Sequence, residues 1–100
     1  MWILQSATDA EGDSWTFRMA PGAIKTVGRA PRADFVVEAA LVSRLHCRLT
    51  ATDNVIDVVD LDSTNGTYIN NQRIRNGTLA NGDRLKIGRV EMTIERQDLS

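Results

Sequence analysis

The chain has 100 residues, 42% of them hydrophobic, and its 12 Lys/Arg against 13 Asp/Glu give a net charge of −1. This length fits a single domain, predicted to span residues 1–100 with a core at about 2–95. A protein that binds by neutralising a nucleic-acid backbone carries a clear basic excess, so the composition predicts no nucleic-acid partner.

The predicted secondary structure is entirely β, because the apolar residues alternate with a period of two. In chain order the pattern predicts strands at 2–4, 14–19, 24–27, 35–37, 47–50, 55–61, 67–69, 84–87 and 90–95. Turns are predicted at the Asn-Gly or Asn-Asn pairs 65–66, 70–71, 76–77 and 81–82, which suit positive φ angles and are typical of hairpins. Residues 33–45 carry no sustained helical stripe and no convincing caps. Many short strands with frequent turns favour a β-sandwich or barrel.

Cysteine use and hydropathy bear on location. Cys47 is the only cysteine, which excludes an internal disulfide and gives no sign of an oxidising compartment; its place in a strand pattern predicts a small core residue. No apolar run approaches the roughly 20 residues of a membrane-spanning helix. Residues 1–6 lack the features of a signal peptide. We therefore expect no membrane partner and a cytoplasmic location, or a nuclear one if the source is eukaryotic.

The charges are unevenly distributed. Five bases and two acids lie between Lys25 and Arg48, whereas four acids and no base lie between Asp53 and Asp62. Such runs are usually solvated surfaces, but the basic one also fits a local positive field for a compact anion. The pattern alone leaves both interpretations open.

Three polar segments at predicted strand ends carry the functional signal: Gly28-Arg29, Ser43-Arg44-Leu45-His46 and Ser63-Thr64-Asn65-Gly66-Thr67. Gly28 precedes Ser43 by fifteen positions, and His46 precedes Asn65 by nineteen. In this order and spacing they resemble the forkhead-associated (FHA) family, whose pattern is Gly-Arg, then Ser-x-x-His, then Asn-Gly. The resemblance covers most of the chain, from Trp2 to Ile94.

The resemblance implies an FHA-type β-sandwich of about eleven short, mainly antiparallel strands with binding loops at one end. It implies a module that recognises phosphothreonine peptides and mediates phosphorylation-dependent protein–protein interaction in Ser/Thr-kinase signalling, without a cofactor. The expected partner is a phosphothreonine-containing protein or peptide, and other domains of a longer parent chain are candidates too. The alternative function is a phosphate-independent assembly module that uses a sandwich face or a sheet edge.

The resemblance assigns phosphopeptide binding to five residues: Arg29, Ser43, Arg44, Thr64 and Asn65. Their chemistry agrees. Arg29 offers a guanidinium fork for phosphate oxygens. Ser43 offers a hydroxyl and a backbone N–H, and Thr64 a second hydroxyl. The Asn65 amide both donates and accepts, which suits the backbone of an extended peptide.

Four further residues are assigned other roles. Gly28 and Gly66 let the backbone turn where a Cβ would clash, and His46 is implied to hold the binding loops without touching the ligand. Leu41 lies at a position that the family often places near the third peptide residue after the phosphothreonine, so it is a candidate for selectivity. The alternative is that Leu41 points into the sandwich and contacts no ligand.

Each of these residues also has an ordinary structural interpretation. Taken singly, Arg29 is an ordinary surface arginine, Ser43 a turn residue and Asn65-Gly66 a hairpin turn; their joint spacing favours a site. A triad of Ser43, His46 and Asp60 or Asp62 lacks the Gly-x-Ser-x-Gly elbow of hydrolases, and one His and one Cys make a metal site improbable. The five aromatic residues fall inside strand patterns, where packing is expected. The sequence therefore predicts a binding module that is not an enzyme and holds no metal.

Overall fold

The computed structural model describes residues 1–97 and contains eleven strands in them. In chain order they are β1 (Trp2–Ser6), β2 (Thr16–Met19), β3 (Ile24–Gly28), β4 (Phe35–Val36), β5 (Cys47–Ala51), β6 (Ile56–Asp60), β7 (Thr67–Ile69), β8 (Gln72–Ile74), β9 (Asn76–Leu79), β10 (Arg84–Ile87) and β11 (Val90–Arg96). No helix in this part of the chain is long and apolar enough to cross a membrane.

The strands form two sheets. The first has the order β2-β1-β11-β10-β7-β8 and the second the order β4-β3-β5-β6-β9. Every pair is antiparallel except β3 and β4, where Val27 lies opposite Phe35 in a parallel arrangement. The prediction of an all-β sandwich of about eleven mainly antiparallel strands is confirmed.

The core lies between the two sheets because alternate residues of each strand face inward. In β11, Val90, Met92 and Ile94 are buried while the residues between them are exposed. Trp2 is fully buried, and its indole Nε1 donates to the carbonyl oxygen of Thr52 at 2.8 Å. Burying one such side chain stabilises the folded state by roughly 1.5–3 kcal/mol. The inward-facing side chains of the strands therefore stabilise the sandwich independently of the loops.

The remaining predictions about packing hold as well. Cys47 is fully buried, as expected of a core residue. Phe17 of β2 stacks on Phe35 of β4 with ring centroids 4.5 Å apart, which joins an edge of one sheet to an edge of the other. Trp15 and Phe17 are partly buried and pack against the core, and Tyr68 is partly buried.

One predicted turn is wrong, and two strands were not predicted. Asn76-Gly77 lies inside β9, where Gly77 pairs with Val58, and β8 and β9 are both missing from the sequence-based assignment. A Cβ at Gly77 would come within 3.0 Å of Ile69 Cδ1, so the glycine serves close packing here and not a turn. The turns at Asn70-Asn71 and at Gly82 do have the expected positive φ angles.

Strand direction sorts the connections into two groups. The site end of the sandwich comprises the three loops that border the site, namely the β3–β4 loop (29–34), the β4–β5 loop (37–46) and the β6–β7 loop (61–66), together with the connections 7–15, 75 and 88–89. The turn end comprises the connections 20–23, 52–55, 70–71 and 80–83. Asn65-Gly66 is not a hairpin turn, because β6 and β7 belong to different sheets and the loop between them crosses from one to the other.

Candidate anion-binding site

A cavity of about 670 Å³ opens at the site end. Four of the five predicted contact residues line this site cavity, together with residues 38–42: Arg29, Ser43, Thr64 and Asn65. Arg44 does not line it. Its side chain borders a neighbouring cavity, which it shares with Arg29 and Arg32.

Arg29 is exposed and held in place by two bonds to the β4–β5 loop. Its backbone N–H donates to the carbonyl of Ser43 at 2.9 Å, and its Nε donates to the carbonyl of Val42 at 3.2 Å. The two terminal nitrogens of the guanidinium have no partner within residues 1–97. Arg29 therefore presents an oriented, unpaired pair of charged donors, which is the geometry that a phosphate or carboxylate requires.

Ser43 connects two loops through its hydroxyl. The Thr64 N–H donates to Ser43 Oγ at 3.0 Å, so this oxygen acts as an acceptor and its own hydrogen is left to donate into the site cavity. The backbone N–H of Ser43 donates to His46 Nδ1 at 3.0 Å. The expectation that this N–H serves a ligand is therefore wrong, because the donor is already used inside the protein.

His46 is fully buried behind these loops. Because Nδ1 accepts the Ser43 N–H, the ring proton lies on Nε2, which donates to the carbonyl of Gly66 at 2.8 Å. The imidazole thus bridges the β4–β5 and β6–β7 loops. With both ring nitrogens bonded to backbone, His46 cannot act as a base for Ser43, and this geometry rules out the imagined triad.

Asn65 forms a second bridge between the same two loops. Its Nδ2 donates to the carbonyl of Leu41 at 3.1 Å, which leaves Oδ1 and the other N–H facing solvent. Leu41 has a φ of 69° and its side chain is 47% exposed. The alternative that Leu41 points into the sandwich is therefore wrong, and its side chain lines the site cavity.

Beneath the β6–β7 loop lies a hydrogen-bonded cluster that the sequence analysis did not identify. Asp60 Oδ1 accepts the hydroxyls of Ser63 at 2.5 Å and Thr67 at 2.6 Å, and Oδ2 accepts the Ser63 N–H at 3.1 Å. Ser63 Oγ in turn accepts the Gly66 N–H at 3.0 Å. The spacing Asp60-x-x-Ser63 is a local signal that would have indicated such a turn.

These bonds stabilise the charged form of Asp60. Burial by itself raises the pKa of this carboxyl, but the bonds from Ser63 and Thr67, with a smaller contribution from His46, hold its pKa below the usual value. Asp60 is thus an ionised anchor for the loop that carries Thr64 and Asn65.

Glycine occupies the two motif positions for different structural reasons. A Cβ at Gly28 would collide with the carbonyl oxygen of Arg44, so glycine lets the β4–β5 loop lie directly on the end of β3. Gly66 has a φ of 89°, a conformation that disfavours any side chain. Gly28 thus permits contact between two of the site loops, whereas Gly66 permits the left-handed backbone of the β6–β7 loop and leaves room for the side chain of Arg73.

Carboxylates spaced closely enough for a metal occur in a loop that does not line the site cavity. Within residues 1–97, Asp9, Glu11 and Asp13 form such a group in the exposed β1–β2 loop. Asp9 Oδ1 already accepts the backbone N–H groups of Glu11 and Asp13 at 2.9 and 2.8 Å. The observed bonds show that Asp9 shapes its own loop.

Comparisons with known proteins agree with the geometry. The family model described as FHA domain matches residues 25–88. The glycogen accumulation regulator GarA of Mycobacterium tuberculosis is 39% identical over 70 residues, which are 70% of this chain and 43% of that protein. The chain therefore spans less than half the length of this curated relative.

Solved structures show the same fold. The FHA domain of the CT664 protein from Chlamydia trachomatis has a TM-score of 0.87 at 23% identity, covering 97% of this chain and 98% of that one. An FHA domain characterised for phosphothreonine-dependent interactions has a TM-score of 0.80 at 32% identity, covering 98% of each chain.

Proposed function

The chain belongs to the forkhead-associated family, and we propose that it recognises phosphothreonine in partner proteins that a Ser/Thr kinase has phosphorylated. The observation that carries this proposal is the convergence of Arg29, Ser43, Thr64 and Asn65 on one open cavity. The phosphothreonine-dependent interactions of an FHA domain 32% identical to this chain support it. Membership of this family of non-catalytic modules also agrees with the prediction that the chain is not an enzyme.

Charge-assisted hydrogen bonds would hold the phosphate. It carries about −1.5 to −2 charges near pH 7 and three acceptor oxygens. The free end of the Arg29 guanidinium binds two of these oxygens, and the hydroxyls of Ser43 and Thr64 donate to the remainder. Arg44 lies beside Arg29 and adds to the positive field.

Asn65 would hold the peptide backbone. Its Oδ1 and its second N–H form the two bonds that an extended peptide offers, while the bond to Leu41 keeps the amide in place. Because the three loops are already fixed to one another, little conformational entropy is lost on binding. A few charge-assisted bonds at about 1.5–3 kcal/mol each, less ordering costs, give a micromolar affinity, which corresponds to about −8 kcal/mol.

A titration of the protein with a phosphothreonine peptide and its unphosphorylated twin tests the proposal. We expect the unphosphorylated peptide to bind at least about fiftyfold more weakly, since it loses two or more charge-assisted bonds. Arg29→Ala should abolish binding of the phosphopeptide and leave the fold intact. The matched control is Arg48→Ala, which removes an exposed arginine of β5 that lines neither of the two cavities.

Two results would contradict the proposal. Equal binding of the two peptides would favour the alternative, a phosphate-independent assembly module. Unchanged affinity of a folded Arg29→Ala protein would show that the phosphate binds somewhere else.

A further inference from the structure

Gly66 connects Asn65, the residue proposed to hold the peptide backbone, to the first residue of β7. Its N–H donates to Ser63 Oγ at 3.0 Å, and its carbonyl accepts from His46 Nε2 at 2.8 Å. Gly66 has a φ of 89°, and glycine has the largest backbone freedom of any residue. A side chain that covers the Cα of Gly66 therefore restricts the loop directly beside Asn65.

The side chain of Arg73 provides this cover. A Cβ built at Gly66 would lie 2.6 Å from Arg73 Nε, 3.0 Å from Cζ and 3.2 Å from Cδ, so the end of the arginine occupies the space in front of the glycine. Strand pairing explains the contact, because Arg73 of β8 lies opposite Tyr68 of β7 and Gly66, two residues before Tyr68, is its diagonal neighbour. Gly66 is buried, although Thr64 and Asn65 before it are exposed.

Arg73 contributes packing at this position and not charge pairing. Within residues 1–97 its side chain forms no hydrogen bond and no ion pair. It lines neither of the two cavities that Arg29 borders. The residue as a whole is exposed, so it resembles other long charged side chains that cover a buried group and keep the charge in water.

Asn65 depends on this cover because it has few bonds of its own. The N–H of Thr64 donates to Ser43 Oγ at 3.0 Å, which fixes the residue before it. Within residues 1–97, the bond that holds Asn65 itself runs from its Nδ2 to the carbonyl of Leu41 at 3.1 Å. The direction of the Asn65 amide is therefore set by this bond and by the conformation of Gly66.

From these contacts we infer that Arg73 is a positioning residue for peptide binding: its side chain packs on Gly66 and thereby orients the Asn65 amide toward the peptide backbone. This inference rests on the proposed function, which gives Asn65 its role. Arg73 acts through its packing, so the Asn65 side chain is ordered before the peptide arrives and less freedom is lost on binding.

The first measurement needs no ligand. The NMR signals of the Asn65 side-chain amide report the bond from Nδ2 to Leu41, since one of the two protons is bonded and the other faces solvent. Arg73→Ala should shift these signals and speed the exchange of the bonded proton with water, because Gly66 is uncovered. Arg73→Met should keep both close to the wild-type values, because its Sδ and Cε replace the Cδ and Nε of the arginine.

The second measurement is a titration of the same proteins with a phosphothreonine peptide. We expect Arg73→Ala to lower the affinity about fivefold, the cost of ordering one side chain on binding. Arg73→Met should bind within about twofold of wild type, since it retains the cover but not the charge. Because residue 73 is exposed, both variants should have urea-denaturation midpoints close to that of the wild type.

Arg75→Ala is the matched control. It removes the same charge from an exposed residue two positions later, whose side chain forms no hydrogen bond within residues 1–97. It should change neither the Asn65 signals nor the affinity.

The outcomes separate the two proposals. Unchanged Asn65 signals in Arg73→Ala would overturn the positioning role, whether or not the affinity falls. Equal losses of affinity for Arg73→Ala and Arg73→Met would mean that the guanidinium acts through its charge, and an equal loss for Arg75→Ala would mean a general effect of charge; either result would overturn the inference. Failure of the wild-type protein to bind the phosphothreonine peptide would contradict the proposed function instead, while the Asn65 signals would still show whether Arg73 positions that amide.

Discussion

The two ends of the sandwich are closed in different ways. At the turn end two connections close on themselves: Ala23 N–H donates to the carbonyl of Ala20 at 3.0 Å, and Thr52 Oγ1 donates to the carbonyl of Val55 at 2.9 Å. The other two connections are joined by a bond from Asn70 Nδ2 to Asp83 Oδ1 at 3.1 Å. At the site end the bonds join residues about twenty positions apart, as between His46 and Gly66. The turn end therefore contains turns such as 52–55 that are closed by their own bonds, whereas the three loops that border the site are bonded to one another as one unit.

This difference has consequences for binding. A turn that closes on itself uses its polar groups locally and is insensitive to the other turns. The site-end loops bond to one another with backbone groups and with one face of each side chain, which leaves the free ends of Arg29, Ser43 and Asn65 for a ligand. A change in one loop is expected to displace the others, so stability and affinity should change together at this end only.

The largest effect is expected for His46→Ala. The substitution leaves the Ser43 N–H and the Gly66 carbonyl without partners and creates a cavity, so unfolding free energy should fall by roughly 2–4 kcal/mol. Affinity for the phosphopeptide should fall at least about tenfold, because the two loops lose their bridge. Chemical denaturation and a peptide titration of the same preparation measure both quantities.

Thr52→Ala at the turn end is the control for this comparison. It removes a hydroxyl that bonds within its own turn, so we expect a loss of about 0.5–1.5 kcal/mol and no change in affinity. A His46→Ala protein with the melting temperature of the wild type and no binding would mean that His46 contacts the ligand directly.

A smaller change in the free energy of unfolding is expected when Asp60 is protonated at low pH. The pKa of Asp60 is lower in the folded chain than in the unfolded chain, so the folded state binds this proton less readily. Its contribution to stability is complete above the ordinary carboxyl pKa of about 3.9 and disappears as the pH falls through the folded value. Measured by urea denaturation, the free energy of unfolding should fall more steeply between pH 6 and pH 3 for wild type than for Asp60→Asn.

Asp57→Asn is the matched control, because Asp57 is an exposed acid of the same strand, β6. The free energy of unfolding of Asp57→Asn should fall between pH 6 and pH 3 as steeply as that of the wild type. Parallel pH profiles for wild type and Asp60→Asn would show that the Asp60 cluster does not stabilise the folded loop.

Phosphothreonine should bind more tightly than phosphoserine in the same peptide. The family resemblance implies a small apolar niche for the threonine methyl group, and residues 39–42 supply apolar side chains to the wall of the site cavity. Burying one methyl group contributes at most about 1 kcal/mol, or about fivefold in affinity. Equal affinities in paired titrations would mean that this niche is absent.

The smallest effect concerns Leu41. Its exposed side chain lines the site cavity, so we expect Ile or Leu at the third position after phosphothreonine to bind better than Asp, by up to ~1 kcal/mol. Leu41→Lys should reverse this preference, because an ammonium group attracts the aspartate. If the Asp peptide binds wild-type protein as tightly as the Leu peptide at physiological salt, Leu41 does not determine selectivity.

The same contrast between the ends explains what could be predicted from the sequence. Asn70-Asn71 and Asn81-Gly82 were assigned correctly because the residues of such a turn determine its conformation locally. Gly77 was misassigned as a turn residue because the need for glycine there comes from a tertiary contact. Ile69 precedes it by eight residues and packs against it from another strand. The strand β8 was missed because Gln72-Arg73-Ile74 has no apolar alternation to reveal it.

At the site, the motif spacing in the sequence identified the binding residues but not the hydrogen bonds that they form. The motif spacing identified Arg29, Ser43, Thr64 and Asn65, all of which line one cavity. The Asp60-x-x-Ser63 spacing is a local signal that was overlooked, whereas the bonds of His46 to Gly66 and of Asn65 to Leu41 join different loops and depend on the three-dimensional fold. Likewise, the division of the arginines between two adjacent cavities follows from loop packing around Gly28.

The burial of Cys47 allows opening of β5 to be measured by thiol labelling. This residue follows His46 directly, and burial, with a contribution from the charge of Asp60, raises the pKa of its thiol to about 12. Thiol reagents attack the thiolate, so modification requires β5 to leave the sheet. Because Cys47 is the only cysteine, the labelling rate of the unmodified protein measures how often the strand behind the binding loops opens.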